Sequence, residues 1–140
     1  MVLMMLGMHK DVQQKLSKEI EEIFRHEKDA KFTVDFLQKF SYLEMVVKET
    51  MRLFAVVPMV ARETSEEVEI DGFLIPKNTT ILISIYAMQR DKKYWGSDAD
   101  HFRPERFEEE VKNPHAYAPF TGGSRICIGK ISNFVTNFLH

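Results

Sequence analysis

The sequence predicts an α+β fold that is mainly helical. Two stretches in the first half of the 140 residues repeat apolar side chains at the spacing of an amphipathic helix. A later stretch, residues 60–84, is rich in Val, Ile and Thr and contains the hairpin signal Asp71-Gly72. Helices and strands do not alternate along the chain, so nothing favours a doubly wound parallel sheet.

The first long helix is predicted in HKDVQQKLSKEIEEIF, where Val12, Leu16 and Ile20 recur on one face. The second is predicted in YLEMVVKETMRLF, and Pro58 follows its end. Their apolar faces are expected to pack on helices outside these 140 residues. They would then be exposed in this chain, and low solubility is expected.

The shorter elements are read from local signals. Thr33 is a predicted N-cap of a short helix. The opening MVLMMLGM is far shorter than the roughly 20 apolar residues of a membrane span, and it is interpreted as the end of a buried helix. Strands are predicted at residues 60–63, 68–70, 73–75 and 80–84, a short helix at 85–89, a mostly irregular stretch at 91–119, and a last helix from residue 131.

Composition narrows the function classes. The chain is 44% hydrophobic and 29% charged, with a net charge of −2 and no basic tract, so no nucleic-acid partner is expected. Cys127 is the single cysteine, which excludes an intrachain disulfide and a zinc site built on several cysteines.

The segment PFTGGSRICIG surrounds that cysteine with glycines and one arginine. Arg125 and open backbone N–H groups would stabilise a thiolate, and glycines let the backbone approach a flat ligand. A nucleophile would need a histidine base, and no pattern ties a histidine to Cys127. A single axial thiolate on a cofactor-bound metal fits better; a cysteine without a role remains the alternative.

Three further patterns are weaker. Glu49 and Arg52 lie three residues apart in KETMR and can pair on one helix face, which in isolation is typical of a solvated pair. FRPERF, with Arg106, is an aromatic-proline coil. Arg62, in PMVAR, could meet an anion or lie on the surface as an ordinary arginine.

In this order the motifs ETMR, PERF and FTGGSRICIG resemble those of the cytochrome P450 superfamily, and YWGSDADHFRPERF resembles its microsomal eukaryotic branch, insect enzymes included. The resemblance runs from about His9 to Gly129 and implies the C-terminal part of that fold. Residues 1–140 are therefore expected to form a partial, haem-binding domain without the N-terminal half, its oxygen-activating helix or its membrane anchor.

The resemblance also implies roles. Cys127 would be the axial thiolate on the iron of haem b. The remaining cofactor-binding residues would be Arg62, Phe120, Gly123, Arg125 and Gly129. Both arginines would pair with the propionates, Phe120 would cover the sulfur, and the glycine loop would let N–H groups reach it. Glu49, Arg52 and Arg106 would form a buried charge network, and residues 56–60 would line the substrate pocket.

The implied activity is that of a haem-thiolate monooxygenase, which inserts one oxygen atom from O2 into a lipophilic substrate. NADPH-cytochrome P450 reductase would be the partner and the endoplasmic reticulum membrane the location, through an anchor outside this chain. The alternative is a non-catalytic fragment. Ser132 and Asn133 depart from the family, which carries an aromatic or Leu and then Ala at these positions.

Overall fold

The protein is seen in a computed structural model that describes residues 1–27, 31, 33–109, 111 and 113–129. The predicted helix beyond residue 130, with Ser132 and Asn133, lies outside the described residues. The helices are α1 (Val2–Met8), α2 (Lys10–His26), α3 (Val34–Leu37), α4 (Ser41–Leu53), α5 (Ile85–Met88) and α6 (Lys92–Trp95); the strands are β1 (Met59–Glu63), β2 (Val68–Ile70), β3 (Phe73–Ile75) and β4 (Thr80–Ser84). The mainly helical α+β prediction is confirmed.

Helices α1 and α2 both contact α4. Val12 and Leu16 on α2 are buried, as are Val46 and Val47 on α4. The expectation that these faces lie exposed is therefore wrong for these four residues, because the helices bury them within this chain, while Ile20 and Leu43 on the same faces are half-buried. In α1 only Met5 is buried, so the helix predicted for the first residues is present but is largely exposed.

Helix α4 begins without a capping side chain of its own, since its N-cap position is Phe40. Glu19 of α2 supplies the acceptor instead. Its carboxylate accepts from the Tyr42 N–H at 2.6 Å, the Leu43 N–H at 3.0 Å and the Ser41 hydroxyl at 3.0 Å. A carboxylate at this end of a helix is favoured by the partial positive charge of the free N–H groups, so α2 fixes where α4 starts.

Each two-stranded sheet is antiparallel. Strand β1 pairs with β4, with Met59 opposite Ser84. Strands β2 and β3 form the predicted hairpin, and its two turn residues Asp71 and Gly72 have φ of 50° and 78°. Positive φ at both positions is the geometry of a type I′ turn, which Asp-Gly favours.

The stretch from residue 91 to 119 is less irregular than predicted. It contains α6, whose start is capped by the Asp91 carboxylate accepting from the Lys93 N–H at 2.9 Å. Two 3₁₀ turns follow, Pro104–Phe107 and Pro114–Ala116. Trp95, Ala99 and Ala116 form a buried cluster, against which Phe107, Val111 and Tyr117 pack.

A buried ion pair on α4 lies beneath this stretch. The side chains of Glu49 and Arg52 have no exposed surface. The Glu49 carboxylate accepts from Arg52 Nε at 2.7 Å and from Arg52 Nη2 at 2.9 Å, a two-point contact. Arg52 Nη1 donates to the backbone carbonyls of Gln89 and Ala99, each at 2.7 Å, and Nη2 also donates to that of His101 at 3.3 Å. The pair is thus buried, unlike the typical isolated pair of this spacing.

Arg106 extends the pair into a network across the chain. Its Nε donates to Glu49 Oε1 at 2.9 Å, and its side chain is only 5% exposed. Its other nitrogens donate to the carbonyls of Trp95, Asp98 and His101. Helix α4 and the coil that follows α6 are therefore joined by one carboxylate between two guanidinium groups.

Two carboxyl groups around the network carry shifted pKa values. Burial alone would raise the pKa of Asp98, but the guanidinium groups of Arg106 and Arg103 outweigh it and lower that pKa. Burial also opposes ionisation of Glu105, but the hydrogen bond from Lys15 outweighs it and the pKa of Glu105 is lowered. Each group therefore stabilises the folded state in its ionised form.

Glu49→Gln should lower the free energy of unfolding by about 3–5 kcal/mol, because it leaves two buried guanidinium groups without their counter-charge. Urea unfolding measures the loss. Glu44→Gln is the matched control on the same helix: Glu44 pairs with Lys48 at 2.7 Å but is partly exposed, and about 1 kcal/mol or less is expected. Equal losses for the two variants would contradict a buried network.

Stability should fall on acidification through the lowered carboxyl pKa values. With a folded-state pKa below the ordinary value of about 4, a carboxyl group stabilises the fold fully above that pH and loses this contribution as pH drops through the folded value. The double variant Asp98→Asn with Glu105→Gln should show a smaller decrease of the urea unfolding midpoint between about pH 6 and pH 3 than the unsubstituted chain. The exposed pair Glu66→Gln with Glu69→Gln is the control, and an equally reduced decrease there would refute the assignment.

Candidate functional site

A cavity of about 540 Å³ lies between the end of α4, strand β1 and the cysteine-containing segment. Its volume is that of a pocket for a small organic ligand or cofactor. The lining is mainly apolar and comes from three places: the N-terminus (Met1, Val2), the end of α4 and the segment after it (Thr50, Met51, Phe54, Ala55, Val56, Val57), and β1 with the cysteine segment (Val60, Arg62, Pro119, Phe120, Thr121, Arg125, Cys127).

The segment 118–129, here called the cysteine loop, folds back on itself. The Cys127 N–H donates to the Phe120 carbonyl at 3.0 Å and closes the loop. Gly123 has φ of 72°, in the left-handed region that glycine adopts without cost, and it begins the 3₁₀ turn Gly123–Arg125. The Thr121 hydroxyl donates to the Arg125 carbonyl at 3.2 Å. This closure places Phe120 and Cys127 on the same cavity wall.

The Cys127 thiol is exposed and free. A Cβ built on Gly129 would lie 3.7 Å from its sulfur, so Gly129 is the close neighbour that leaves this side of Sγ open. No described hydrogen bond ends on that sulfur, although the sequence predicted backbone N–H groups reaching it. The thiol is thus free of protein partners within the described ranges and available to a ligand.

Arg62 and Arg125 add two cations to the same cavity. Arg62 projects from β1 and donates to the neighbouring Ala61 carbonyl at 2.8 Å. Neither guanidinium forms an ion pair with a described carboxylate. Two guanidinium groups on an apolar cavity without acidic partners favour a ligand that has an anionic edge on an apolar body.

The predicted site residues fall into two groups. Arg62, Phe120, Arg125 and Cys127 line the cavity. Gly123 and Gly129 lie in the cysteine loop, which carries the last three of these residues. Glu49, Arg52 and Arg106 lie outside the cavity, in the buried network. The two groups are adjacent, because α4 carries Glu49 and Arg52 in the same turns as the lining residues Thr50 and Met51.

Sequence reasoning missed part of the lining. Thr50, Met51 and Phe54 fall in the predicted helix YLEMVVKETMRLF, and its helical period gives no sign that they border a cavity. Pro119 was noted only as part of the motif. Tyr117, whose hydroxyl donates to the Lys48 carbonyl at 3.2 Å, was not singled out either, since no local pattern links residues so far apart.

These residues fit a thiolate-ligated haem. The cavity offers one thiol, an apolar lining that includes aromatic rings, and two guanidinium groups that pair with none of the described carboxylates and are suited to propionates. A metal centre built from protein side chains alone does not fit as well: within the described residues no three His, Cys, Asp or Glu side chains are grouped to hold an ion.

The family model described as Cytochrome P450 matches residues 1–131. Over 131 residues the chain is 41% identical to Cytochrome P450 3A6 of Oryctolagus cuniculus and 42% identical to Cytochrome P450 4V2 of Homo sapiens, each covering 91% of this chain. Over 126 residues it is 44% identical to Cytochrome P450 3A5 of Homo sapiens, covering 89% of this chain.

These matches reach only a limited part of each relative. The chain spans about a quarter of their length: 26% of the rabbit protein, and 25% and 24% of the two human ones. Within this chain, however, the family match includes every described residue of the cavity and of the charge network. The chain therefore belongs to the cytochrome P450 family.

Proposed function

We propose that residues 1–140 form part of one cytochrome P450 domain and supply the haem-ligating segment of a monooxygenase. The observation that carries this proposal is the position of the Cys127 thiol on an apolar cavity that also holds two guanidinium groups, neither paired with a carboxylate among the described residues. Membership of a monooxygenase family supports the same reaction class. The substrate is proposed to be a lipophilic small molecule.

In this proposal haem b occupies the cavity. Cys127 would provide the thiolate ligand, Arg62 and Arg125 would bind the propionates through charge-assisted hydrogen bonds, and Phe120 would pack beside the sulfur and exclude water from it. Gly123 and Gly129 give the backbone its path around the ligand atom. Haem with a thiolate ligand supplies the activation of O2 that ends in insertion of one oxygen atom into the substrate.

The chain's own contribution is to place and protect the ligand atom. The hydrogen bond from the Cys127 N–H to the Phe120 carbonyl holds the backbones of these two residues next to each other. Val56 and Val57 are 89% and 54% exposed beside the cavity, and we assign them to contact with an apolar substrate.

Electrons are proposed to come from NADPH-cytochrome P450 reductase, at the endoplasmic reticulum membrane. Lys92 and Lys93 begin α6, are exposed, and are candidates for contact with an acidic partner. In the described part of the chain, no helix combines the length and the apolar character needed to cross a bilayer.

A non-catalytic role is the alternative: the chain binds haem without turning over substrate. A reconstituted assay with the reductase, NADPH and a panel of lipophilic substrates separates the two. Oxygenated product formed at a rate above that of free haem supports catalysis by this chain. Haem binding without product supports the alternative.

Cys127→Ser should abolish the red-shifted Soret band that marks thiolate ligation in the reduced carbon monoxide complex, because a serine hydroxyl does not replace the thiolate. Ser124→Ala, in the same exposed loop, is the matched control and should keep the band. Absorption spectra of the chain titrated with haem give both results. A band that persists in the serine variant would show that the iron ligand is another residue.

Arg62→Gln and Arg125→Gln should each weaken haem binding about tenfold, the effect of one lost charge-assisted hydrogen bond. Haem whose propionates are methyl esters should bind all three proteins alike, because the anionic edge is gone. Arg25→Gln, an exposed arginine of α2, is the control. Equal losses with haem and with its ester would place the arginines away from the propionates.

A further inference from the structure

Tyr117 joins three parts of the fold. Its ring packs edge-to-face on Phe107 with centroids 5.1 Å apart and on Trp95 at 6.2 Å. Its hydroxyl donates to the Lys48 carbonyl of α4 at 3.2 Å. Two residues later the chain reaches Pro119, which lines the cavity. Tyr117 therefore lies where the aromatic cluster ends and the cysteine loop begins.

The cysteine loop makes its hydrogen bonds within itself. The Thr121 N–H donates to the Ala118 carbonyl, the Ile126 N–H to the Gly123 carbonyl and the Cys127 N–H to the Phe120 carbonyl. Arg125 forms no ion pair with a described side chain. Among the described residues, the Tyr117 hydroxyl makes the one hydrogen bond that joins residues 113–129 to the rest of the fold.

The acceptor of that bond matters as much as the donor. Lys48 immediately precedes Glu49, whose carboxylate holds the charge network, and it lies one helical turn before the lining residue Met51. The Lys48 carbonyl thus belongs to the part of α4 that is fixed by the buried ion pairs of Glu49. A hydroxyl bound there fixes the start of the cysteine loop relative to α4, the helix that forms another wall of the cavity.

From this geometry we infer that Tyr117 is a positioning residue for the haem ligand: its hydroxyl, bound to the Lys48 carbonyl, sets the place of the Cys127 thiol relative to α4. The inference rests on the proposed haem site. It does not make Tyr117 a catalytic residue, since the side chain does not line the cavity. Burial raises the pKa of Tyr117, so the hydroxyl remains a donor at neutral pH.

Tyr117→Phe keeps the ring and removes the tether. Haem should then bind about fivefold more weakly, the factor expected for one lost hydrogen bond. The reduced carbon monoxide complex should also show a smaller share of the thiolate-type Soret band. Tyr42→Phe is the matched control. The Tyr42 hydroxyl also joins α4 to the coil by one hydrogen bond, but its acceptor is Glu105 at 2.9 Å, away from the loop. It should leave both readouts unchanged.

Amide hydrogen exchange on the haem-free chain gives a second readout. Tyr117→Phe should speed exchange of the Thr121, Ile126 and Cys127 amides while those of α4 keep their protection; Tyr42→Phe should not. If exchange and the share of the thiolate band stay at wild-type values, the tether has no positioning role and the inference is overturned, while wild-type haem binding leaves the proposed function standing. If the wild-type chain binds no haem, the proposed function fails, and exchange alone decides whether the tether holds the loop.

Discussion

The carboxylate of Glu49 is the group on which the architecture depends. It is fully buried and binds two guanidinium groups, one from its own helix and one from 57 residues further along the chain. The backbone bonds of the coil that supplies Arg106 are short-range turns, such as the His101 N–H to the Asp98 carbonyl, and its other buried carbonyls need donors. Arg52 and Arg106 provide those donors to a run of carbonyls between Gln89 and His101. The ion pair thereby takes the place of a strand or helix ladder.

Helix α4 couples this network to the candidate site. Successive helical residues point about 100° apart, so Glu49 and Arg52 face the coil while Met51 borders the cavity. The cavity wall and the buried charges therefore belong to one rigid element. The cysteine loop reaches the same helix through Tyr117. A change in the position of α4 would therefore alter the surroundings of the Cys127 sulfur by both routes.

The sequence predicted the regular elements well and the wrapping of the coil poorly. The apolar period of α2 and α4 and the Asp-Gly turn are local patterns, and the structure contains the elements they indicate. Burial of Glu49 depends on Arg106 and on the coil between them, which no local pattern encodes. Only the resemblance of ETMR and PERF, in this order, to the motifs of the cytochrome P450 family connected those positions. The cap by Asp91 is local, and it could have indicated α6.

Within the site the same division holds. The glycine and arginine pattern around Cys127 pointed to a ligand loop, and Arg62, Phe120 and Arg125 do line one cavity with the thiol. These side chains come together because tertiary packing places β1 and the end of α4 beside the cysteine loop, and no local sequence pattern predicts that packing. Thr50, Met51 and Phe54 form another wall of the cavity. In the sequence they look like ordinary helix residues, because the cavity arises only from the packing of distant segments.

The use of Glu19 as a cap has a consequence for how the chain acquires its structure. Helix α4 has no acceptor of its own at its first turn, so its opening N–H groups remain with water until α2 has docked. Helix nucleation is the costly step in forming an isolated helix. The first turn of α4 therefore gains its acceptor only where the two helices meet, and the stability of that turn depends on the docking of α2.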